Sequence, residues 1–285
     1  MTVTRLATVL LVGVTAACGP TGRQYELRGQ VLAVDPVRRE ITIKHDDIVG
    51  FMPAMTMPFR VNDPRLLEQR APGDLVTATL VVEETDAYLT GLRKIGHADV
   101  VTALPLPPAS SGFELLKTGE FAPDQAFVDQ DGRPRTLADW TGKAIALTFI
   151  YTRCPYPTFC PLMDRQFAAI QKAVTADAAL RRQVHLISVS FDPEYDTPAV
   201  LRQHATTLGA EPDLWSFVTG PRDDVDRFAA RFGVSIVRGN TPADFTHTLR
   251  TAVLDRDRRV VSIHTGNGWA PDDIVRDLRN ATTNR

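Results

Sequence analysis

A proline-rich segment at residues 104–112, Leu-Pro-Leu-Pro-Pro-Ala-Ser-Ser-Gly, divides the chain into two parts with different hydrophobic patterns. Before it, apolar and polar residues alternate in short runs, whereas after it apolar runs alternate with helix-length amphipathic segments. Consecutive prolines favour an extended spacer, and small polar residues favour a flexible one. A chain of 285 residues has room for about two domains at roughly 150 residues each. We therefore predict two domains, at residues 25–103 and 113–285, joined by a linker at 104–112.

The first part has the pattern of a small all-β barrel. Its alternating runs cover residues 25–34, 40–45, 55–61, 75–84 and 87–94, with Asp-Pro, Asn-Asp-Pro and Pro-Gly-Asp turn signals between them. Five short strands within about seventy residues favour a closed, OB-like barrel.

The second part predicts an α/β fold, because strand-like and helix-like segments alternate along it. The strands are expected at 127–136 (a hairpin), 144–151, 184–190, 214–219, 248–254 and 260–263. The helices are expected at 161–180, 198–208, 223–232 and from 271 onward. Such alternation indicates a central sheet with helices on both faces.

The first eighteen residues are predicted to be an export signal. Arg5 precedes a short apolar run at residues 6–14, and small residues lead to Cys18. The run is too short for a membrane span, which needs about 20 apolar residues. The pattern resembles a bacterial lipoprotein processing site, although Thr15 stands where such sites usually have leucine or valine. We expect a lipoprotein-type signal at 1–18, lipidation of Cys18, a tether at 19–24, and a membrane-anchored protein facing the periplasm or the extracellular side; an ordinary cleaved signal is the alternative.

The charge balance excludes one class of partner. The chain has 32 basic and 34 acidic residues, a net charge of -2, and no cluster of lysines and arginines. Nucleic-acid binding needs a basic face, so we expect no nucleic-acid partner.

Three of the five methionines, Met52, Met55 and Met57, lie within six residues of each other, and His45 precedes them. Methionines that only fill a core have no reason to cluster, because their value there is an adaptable shape. Met55 and Met57 are two residues apart, so a strand would point both to one face. One imidazole and three thioethers form a soft, neutral ligand set that suits Cu(I) or Ag(I). The alternative is an apolar barrel lining beside an incidental histidine.

The segments Ile41-Thr-Ile-Lys-His45-Asp-Asp-Ile48 and Met-Pro-Ala-Met55-Thr-Met57-Pro-Phe are similar to the CusF family of periplasmic copper and silver carriers. The resemblance covers about residues 25–97, and it implies that His45, Met55 and Met57 bind Cu(I). The type member of that family has a tryptophan over the metal where this chain has Met52. We therefore expect Met52 to act as a fourth ligand in place of a cation–π contact.

The two remaining cysteines, Cys154 and Cys160, lie between a predicted strand and a predicted helix. Cys160 directly precedes Pro161, a residue favoured in the first turn of a helix. The positive end of that helix should lower the pKa of Cys160 and make its thiolate available for attack or for metal binding. A strand, a two-cysteine loop and a helix form the thioredoxin arrangement. An inert structural disulfide is the alternative in an exported protein.

Four segments resemble the Sco/SenC family of thioredoxin-fold copper proteins, over about residues 112–281. They are Phe149-Ile-Tyr-Thr-Arg-Cys154-Pro, Cys160-Pro-Leu-Met163, Ser188-Val-Ser-Phe-Asp192-Pro-Glu-Tyr-Asp196-Thr-Pro198 and Asp244-Phe-Thr-His247-Thr248. The resemblance implies copper binding by Cys154, Cys160 and His247, a set that can hold Cu(I) and Cu(II). Five residues separate the cysteines here, where the best-known members have three. We also expect Asp192 and Asp196 to cap the helix that follows them.

Together the two resemblances imply a membrane-tethered copper metallochaperone. In this interpretation the barrel captures Cu(I), and the thioredoxin-like domain receives it and delivers it to the dinuclear copper centre of cytochrome c oxidase, in subunit II. One alternative is a thiol–disulfide oxidoreductase that prepares the cysteines of a copper-accepting partner and is itself served by a thioredoxin-like reductant. Another alternative is copper or silver sequestration.

Overall fold

The computed structural model describes residues 22–100, 114–238 and 245–283. The predicted signal with Cys18, the predicted linker at 104–112 and the first residues of the predicted tether lie outside the described residues. Within the described ranges, the helices are too short or too polar to cross a bilayer.

The N-terminal domain is a five-stranded antiparallel sheet that curls into a barrel. Its strands are β1 (Arg23–Asp35), β2 (Glu40–His45), β3 (Met55–Arg60), β4 (Asp74–Val82) and β5 (Ala87–His97), in the spatial order β3-β2-β1-β4-β5. A bridge between Val61 and Leu89 brings the two edges of the sheet together. The predicted barrel is therefore confirmed.

Alternation along β2 and β3 decides which side chains face the barrel interior. Ile41, Ile43 and His45 are buried on β2, and Met57 and Phe59 are buried on β3. The period of two that identified these strands in the sequence thus also places His45, Met55 and Met57 on the inner face.

The C-terminal domain is built on a seven-stranded sheet, in the order β14-β13-β8-β9-β10-β6-β7. Its strands are β6 (Ala126–Asp129), β7 (Pro134–Thr136), β8 (Ala144–Ile150), β9 (Val184–Ser190), β10 (Trp215–Thr219), β13 (Arg250–Leu254) and β14 (Val260–Thr265). A separate two-stranded ribbon, β11 (Ile236–Arg238) with β12 (Phe245–His247), was not predicted. The helices are α1 (Cys160–Thr175), α2 (Ala178–Arg181), α3 (Pro198–Leu208), α4 (Arg222–Arg231) and α5 (Pro271–Thr283).

The central strands β8 and β9 are buried along their whole length and pair in parallel, as do β9 and β10. This confirms the predicted α/β class. One helix differs from the sequence prediction: the single helix expected at 161–180 is two helices, α1 and α2. The side chain of Asp177 accepts hydrogen bonds from the backbone N–H groups of Ala179 and Leu180, and so begins a new helix.

Candidate metal centre

The methionine side of the site is organised by the pairing of β2 with β3. His45 lies directly opposite Met55, and Ile43 lies opposite Met57, so His45, Met55 and Met57 share one face. A bridge between Ile48 and Met52 folds the β2–β3 connection back, and it buries Met52. The His45 ring packs edge-on against Phe59 at 5.4 Å between ring centroids. All four residues predicted as ligands of the barrel therefore lie in one region.

The tautomer of His45 follows from its backbone contact. Nδ1 lies 2.7 Å from the carbonyl oxygen of Asp46, which can only accept a hydrogen bond. A neutral imidazole that donates from Nδ1 has its lone pair on Nε2, and Nε2 is therefore the nitrogen suited to bind a metal.

The cysteine side of the site lies at the carboxyl end of β8. Cys154 and Cys160 are both buried and both free thiols. Burial opposes ionisation of Cys154, but hydrogen bonds from the Cys160 thiol, from backbone groups of Tyr156 and Cys160, and from the Tyr151 hydroxyl lower the pKa of Cys154 to about 7. Cys154 is therefore the thiol of this pair that becomes a thiolate near neutral pH.

Cys160 behaves differently from the sequence prediction. Burial raises the pKa of Cys160 well above its ordinary value, and its hydrogen bond to Cys154 raises it further. Cys160 does begin α1, with Phe159 as the N-cap residue, yet only 1% of its surface is exposed. The prediction that Cys160 would be the thiolate is wrong, because burial and the neighbouring Cys154 both disfavour its charged form.

His247 lies on β12 among aromatic rings. Its ring centroid is 4.8 Å from that of Phe191, 5.7 Å from that of Tyr151 and 6.2 Å from that of Phe159. Burial lowers the pKa of His247 to about 4, so the imidazole is neutral at physiological pH. Among the residues that the structure describes, its Nε2 atom is buried without a hydrogen-bond partner. A neutral, half-buried imidazole whose Nε2 atom is buried and unsatisfied has the properties of a metal ligand.

A small cavity joins the two predicted sites. It has a volume of about 40 Å³ and is lined from the barrel by Met52, Met55 and Met57, and from the C-terminal domain by Cys154 and His247. His45 and Cys160 do not line it, but His45 pairs with Met55 across β2 and β3, and Cys160 is hydrogen-bonded to Cys154. Sequence analysis assigned the predicted ligands to two sites, and five of them, Met52, Met55, Met57, Cys154 and His247, line one common cavity in the structure.

No ready-made cluster of hard or thiolate ligands is present in the described parts of the chain. Across residues 22–100, 114–238 and 245–283, no three His, Cys, Asp or Glu side chains are close enough together to hold a metal ion. Cys154 and His247 line the cavity and Cys160 contacts Cys154, but the three side chains do not form a closed triad.

Two carboxylates hold the loop that carries Cys154, at Thr152 and Arg153, in place. Asp192 accepts a hydrogen bond from Arg153 Nε at 2.7 Å, and the Arg153 guanidinium lies 4.6 Å from the centre of the Tyr195 ring. Asp196 accepts hydrogen bonds from the Thr152 backbone N–H and from the Ser190 hydroxyl. Thr152 and Arg153, which precede Cys154, are thereby held by carboxylates that follow the end of β9.

These contacts correct the capping prediction. The N-cap of α3 is Thr197, whose hydroxyl accepts from the Val200 N–H, rather than Asp192 or Asp196. Sequence proximity to Pro198 suggested a cap, but both carboxylates turn toward the cysteine loop, where buried donors need partners.

Comparison with known proteins covers both parts of the chain. Residues 114–283 match the family model described as SCO1/SenC, and residues 24–94 match that of the copper binding periplasmic protein CusF. A SCO1 protein homolog of Bacillus subtilis (strain 168) is 31% identical over 160 residues, which span 55% of this chain and 80% of that relative.

Solved structures resemble the C-terminal part. One is BsSco, a member of the Sco family of cytochrome c oxidase assembly proteins in which a disulfide switch was identified. It is 27% identical, with a TM-score of 0.51 over 62% of this chain and 100% of its own. A SCO1/SenC family lipoprotein from Bacillus anthracis str. Ames is 24% identical, with a TM-score of 0.52 over 59% of this chain and 99% of its own, and it shares the fold.

Proposed function

Because this chain belongs to the SCO1/SenC family and carries an N-terminal CusF-like domain, we propose that it is an extracytoplasmic copper metallochaperone in which the barrel loads the thioredoxin-like domain. The observation that carries the proposal is the shared cavity, which has three thioethers on one wall and a thiol and an imidazole on the other. Soft sulfur ligands on both walls select Cu(I) over harder metals.

Capture is the role we assign to the barrel. His45, Met52, Met55 and Met57 carry no charge that would oppose a monovalent cation, and thioethers bind Cu(I) without having to lose a proton. The burial of Met52 and Met57 keeps these ligands away from water and oxidants. A neutral set of this kind binds Cu(I) less strongly than thiolates do, so it can hold the ion and then pass it to a thiolate site.

Transfer to Cys154, Cys160 and His247 is favourable because a thiolate binds Cu(I) more strongly than a thioether does. Cys154 is the entry ligand in this scheme, since it lines the cavity and has a pKa of about 7. Once copper binds Cys154, the positive charge favours loss of the proton from Cys160, whose pKa burial otherwise raises. His247 completes the set with a nitrogen that is already neutral.

The destination that we propose is supported by the family of one structural relative. BsSco belongs to a family of cytochrome c oxidase assembly proteins, so we assign the acceptor to that enzyme, at the dinuclear copper centre of subunit II. The CusF match is to a periplasmic protein, and one structural neighbour is a lipoprotein. Both support export, with anchoring to the membrane through Cys18.

A thiol–disulfide oxidoreductase is the second candidate, and the paired cysteines favour it. Two free thiols in hydrogen-bond contact, one with a lowered and one with a raised pKa, match the needs of an attacking and a resolving thiol. In that function the chain would reduce the cysteines of a copper acceptor before copper arrives.

An anaerobic Cu(I) titration of the reduced full chain against a chromophoric chelator tests the proposal. We expect two tightly bound equivalents in the wild type, and one in Cys160→Ser or in His247→Ala. Met57→Leu should remove the other equivalent. Two equivalents in Cys160→Ser would contradict copper binding by the C-terminal domain and would leave the oxidoreductase as the better interpretation.

A further inference from the structure

The five residues between the cysteines, 155–159, lie against the barrel. Tyr156 is only 3% exposed, although it belongs to a short surface loop. Its ring packs edge-on against Phe59 of the barrel at 6.0 Å and lies 6.4 Å from Phe51. On its other side it contacts Phe159 of its own loop at 5.2 Å. Buried aromatic side chains that pack against a partner on one side and their own domain on the other commonly anchor interfaces.

Arg165 makes a second contact between the domains. It lies on α1, and its Nη2 atom donates hydrogen bonds to the carbonyl oxygen of Pro157 at 2.9 Å and to that of Thr85 at 3.2 Å. Thr85 lies in the turn between β4 and β5, so one guanidinium joins the cysteine loop to the barrel. Both acceptors are backbone groups, which makes the contact dependent on the loop conformation rather than on a particular side chain.

The same loop separates two spaces at the interface. The small cavity with Cys154 and the methionines lies on one side, and an open cleft of about 880 Å³ lies on the other. Tyr156, Phe159, Pro58 and His247 line both spaces, whereas Cys154 lines only the small cavity. A cavity of about 40 Å³ holds at most a few water-sized groups, so no side chain of another protein fits beside Cys154 while the barrel is in place.

We propose that residues 155–159 form a docking surface for the chain's own barrel, with Tyr156 as its anchor, and that docking closes the face that carries Cys154 to other proteins. The barrel and an outside partner then compete for one face, and delivery requires the barrel to leave. This consequence for copper delivery rests on the proposed function, whereas the docking itself needs no copper.

The test uses the reduced, copper-free full chain and a maleimide that carries a bulky polyethylene glycol. Labelling of the Cys154 peptide is followed by mass spectrometry at a pH where its thiolate is fully formed, so that a shifted pKa does not change the rate. Hydrogen exchange of residues 51–58 reports whether the barrel has left. We expect Tyr156→Ala and Arg165→Ala each to speed labelling by about tenfold, the effect of losing one interface anchor, and to raise exchange at 51–58.

Two controls separate docking from loss of structure. Tyr156→Phe keeps the ring and should label at the wild-type rate. Lys172→Ala removes a basic side chain from an exposed position of the same helix, α1, and should change neither readout. Wild-type labelling and wild-type exchange in Arg165→Ala would overturn the proposal. Because no metal is used, that failure is distinct from a failure of the copper titration.

Discussion

Cys154 and Cys160 belong to one hydrogen-bonded pair, but they ionise in different ranges of pH. The pKa of Cys154 is lowered to about 7 although the thiol is buried, because neighbouring groups stabilise its thiolate. Tyr151 is one of these groups. Burial raises the pKa of Tyr151, so its hydroxyl remains protonated and can donate to the sulfur of Cys154. A single side chain from the end of β8 thus helps to decide which cysteine is nucleophilic.

Replacing Tyr151 by phenylalanine tests this assignment. The thiolate of Cys154 loses a donor, so its pKa should rise, and a higher pH is needed to reach the same rate of reaction. The rate of alkylation of Cys154 by iodoacetamide is measured against pH in the metal-free chain. We expect the midpoint to move upward from about 7 in Tyr151→Phe.

Tyr195→Phe is the matched control, because it removes the same hydroxyl from a ring that contacts Arg153 instead of the thiol. It should leave the midpoint unchanged. An unchanged midpoint in Tyr151→Phe would show that the Tyr151 hydroxyl does not stabilise the thiolate.

The first strand of the barrel is the element on which the methionine site depends. β1 is 13 residues long and pairs with β2 on one side and β4 on the other. Gly29 of β1 lies opposite His45 on β2 and opposite Val76 on β4. A Cβ atom at Gly29 would lie 2.5 Å from the carbonyl oxygen of Lys44 and 2.7 Å from the Cα atom of His45. Close approach of the two strands, and with it the position of His45, requires glycine there.

Gly29→Ala should therefore destabilise the barrel by about 1–3 kcal/mol, the usual range for an overpacked site. It should also weaken Cu(I) binding by the barrel, because β2 must shift at His45. The measurements are hydrogen exchange of β1 and β2 and a chelator competition in the Cys154→Ser, Cys160→Ser background.

Gly96→Ala serves as the comparison in the same barrel. A Cβ atom at Gly96 meets only Leu75, at an ordinary contact distance of 3.5 Å to Cδ1. Equal effects of the two substitutions would show that the close packing at Gly29 is not what positions His45.

At the scale of the whole molecule, the two domains share one cavity, so the distribution of a single copper ion depends on both. We expect one equivalent of Cu(I) in the wild type to bind the thiolates. In the Cys154→Ser, Cys160→Ser variant the ion should remain with the barrel, bound by one nitrogen and by the three sulfurs of Met52, Met55 and Met57. X-ray absorption distinguishes these cases by the number of sulfur ligands.

Met52→Leu in the same background should reduce the sulfur count by one. A site with only two sulfurs before that substitution would show that Met52 covers the cavity without binding copper. The burial of Met52 and its place on the cavity wall are compatible with either role, and the coordination number separates them.

The sequence alone determined most elements of the fold and the types of side chain in the predicted metal site. The strand Val184–Ser190 and the helix Pro198–Leu208 were predicted with the bounds that the structure has, because periodicity, prolines and caps act between residues that are close in the chain. The cluster of Met52, Met55 and Met57 after His45 could also be recognised from the sequence, because these residues are close together in the chain. The ribbon β11–β12 escaped prediction because its strands are only three residues long.

Only the tertiary structure decided how those ligands behave. The lower pKa belongs to Cys154 rather than Cys160, because burial of Cys160 depends on packing around α1 that no local pattern encodes. Tyr156 and Arg165 acquired their roles from contacts with residues more than seventy positions away, Phe59 and Thr85. Residues that are close in the chain fix which side chains are available at the site. The charge of those side chains and their access to solvent depend on burial by residues far away in the chain, and that burial exists only after the two domains have folded and come into contact.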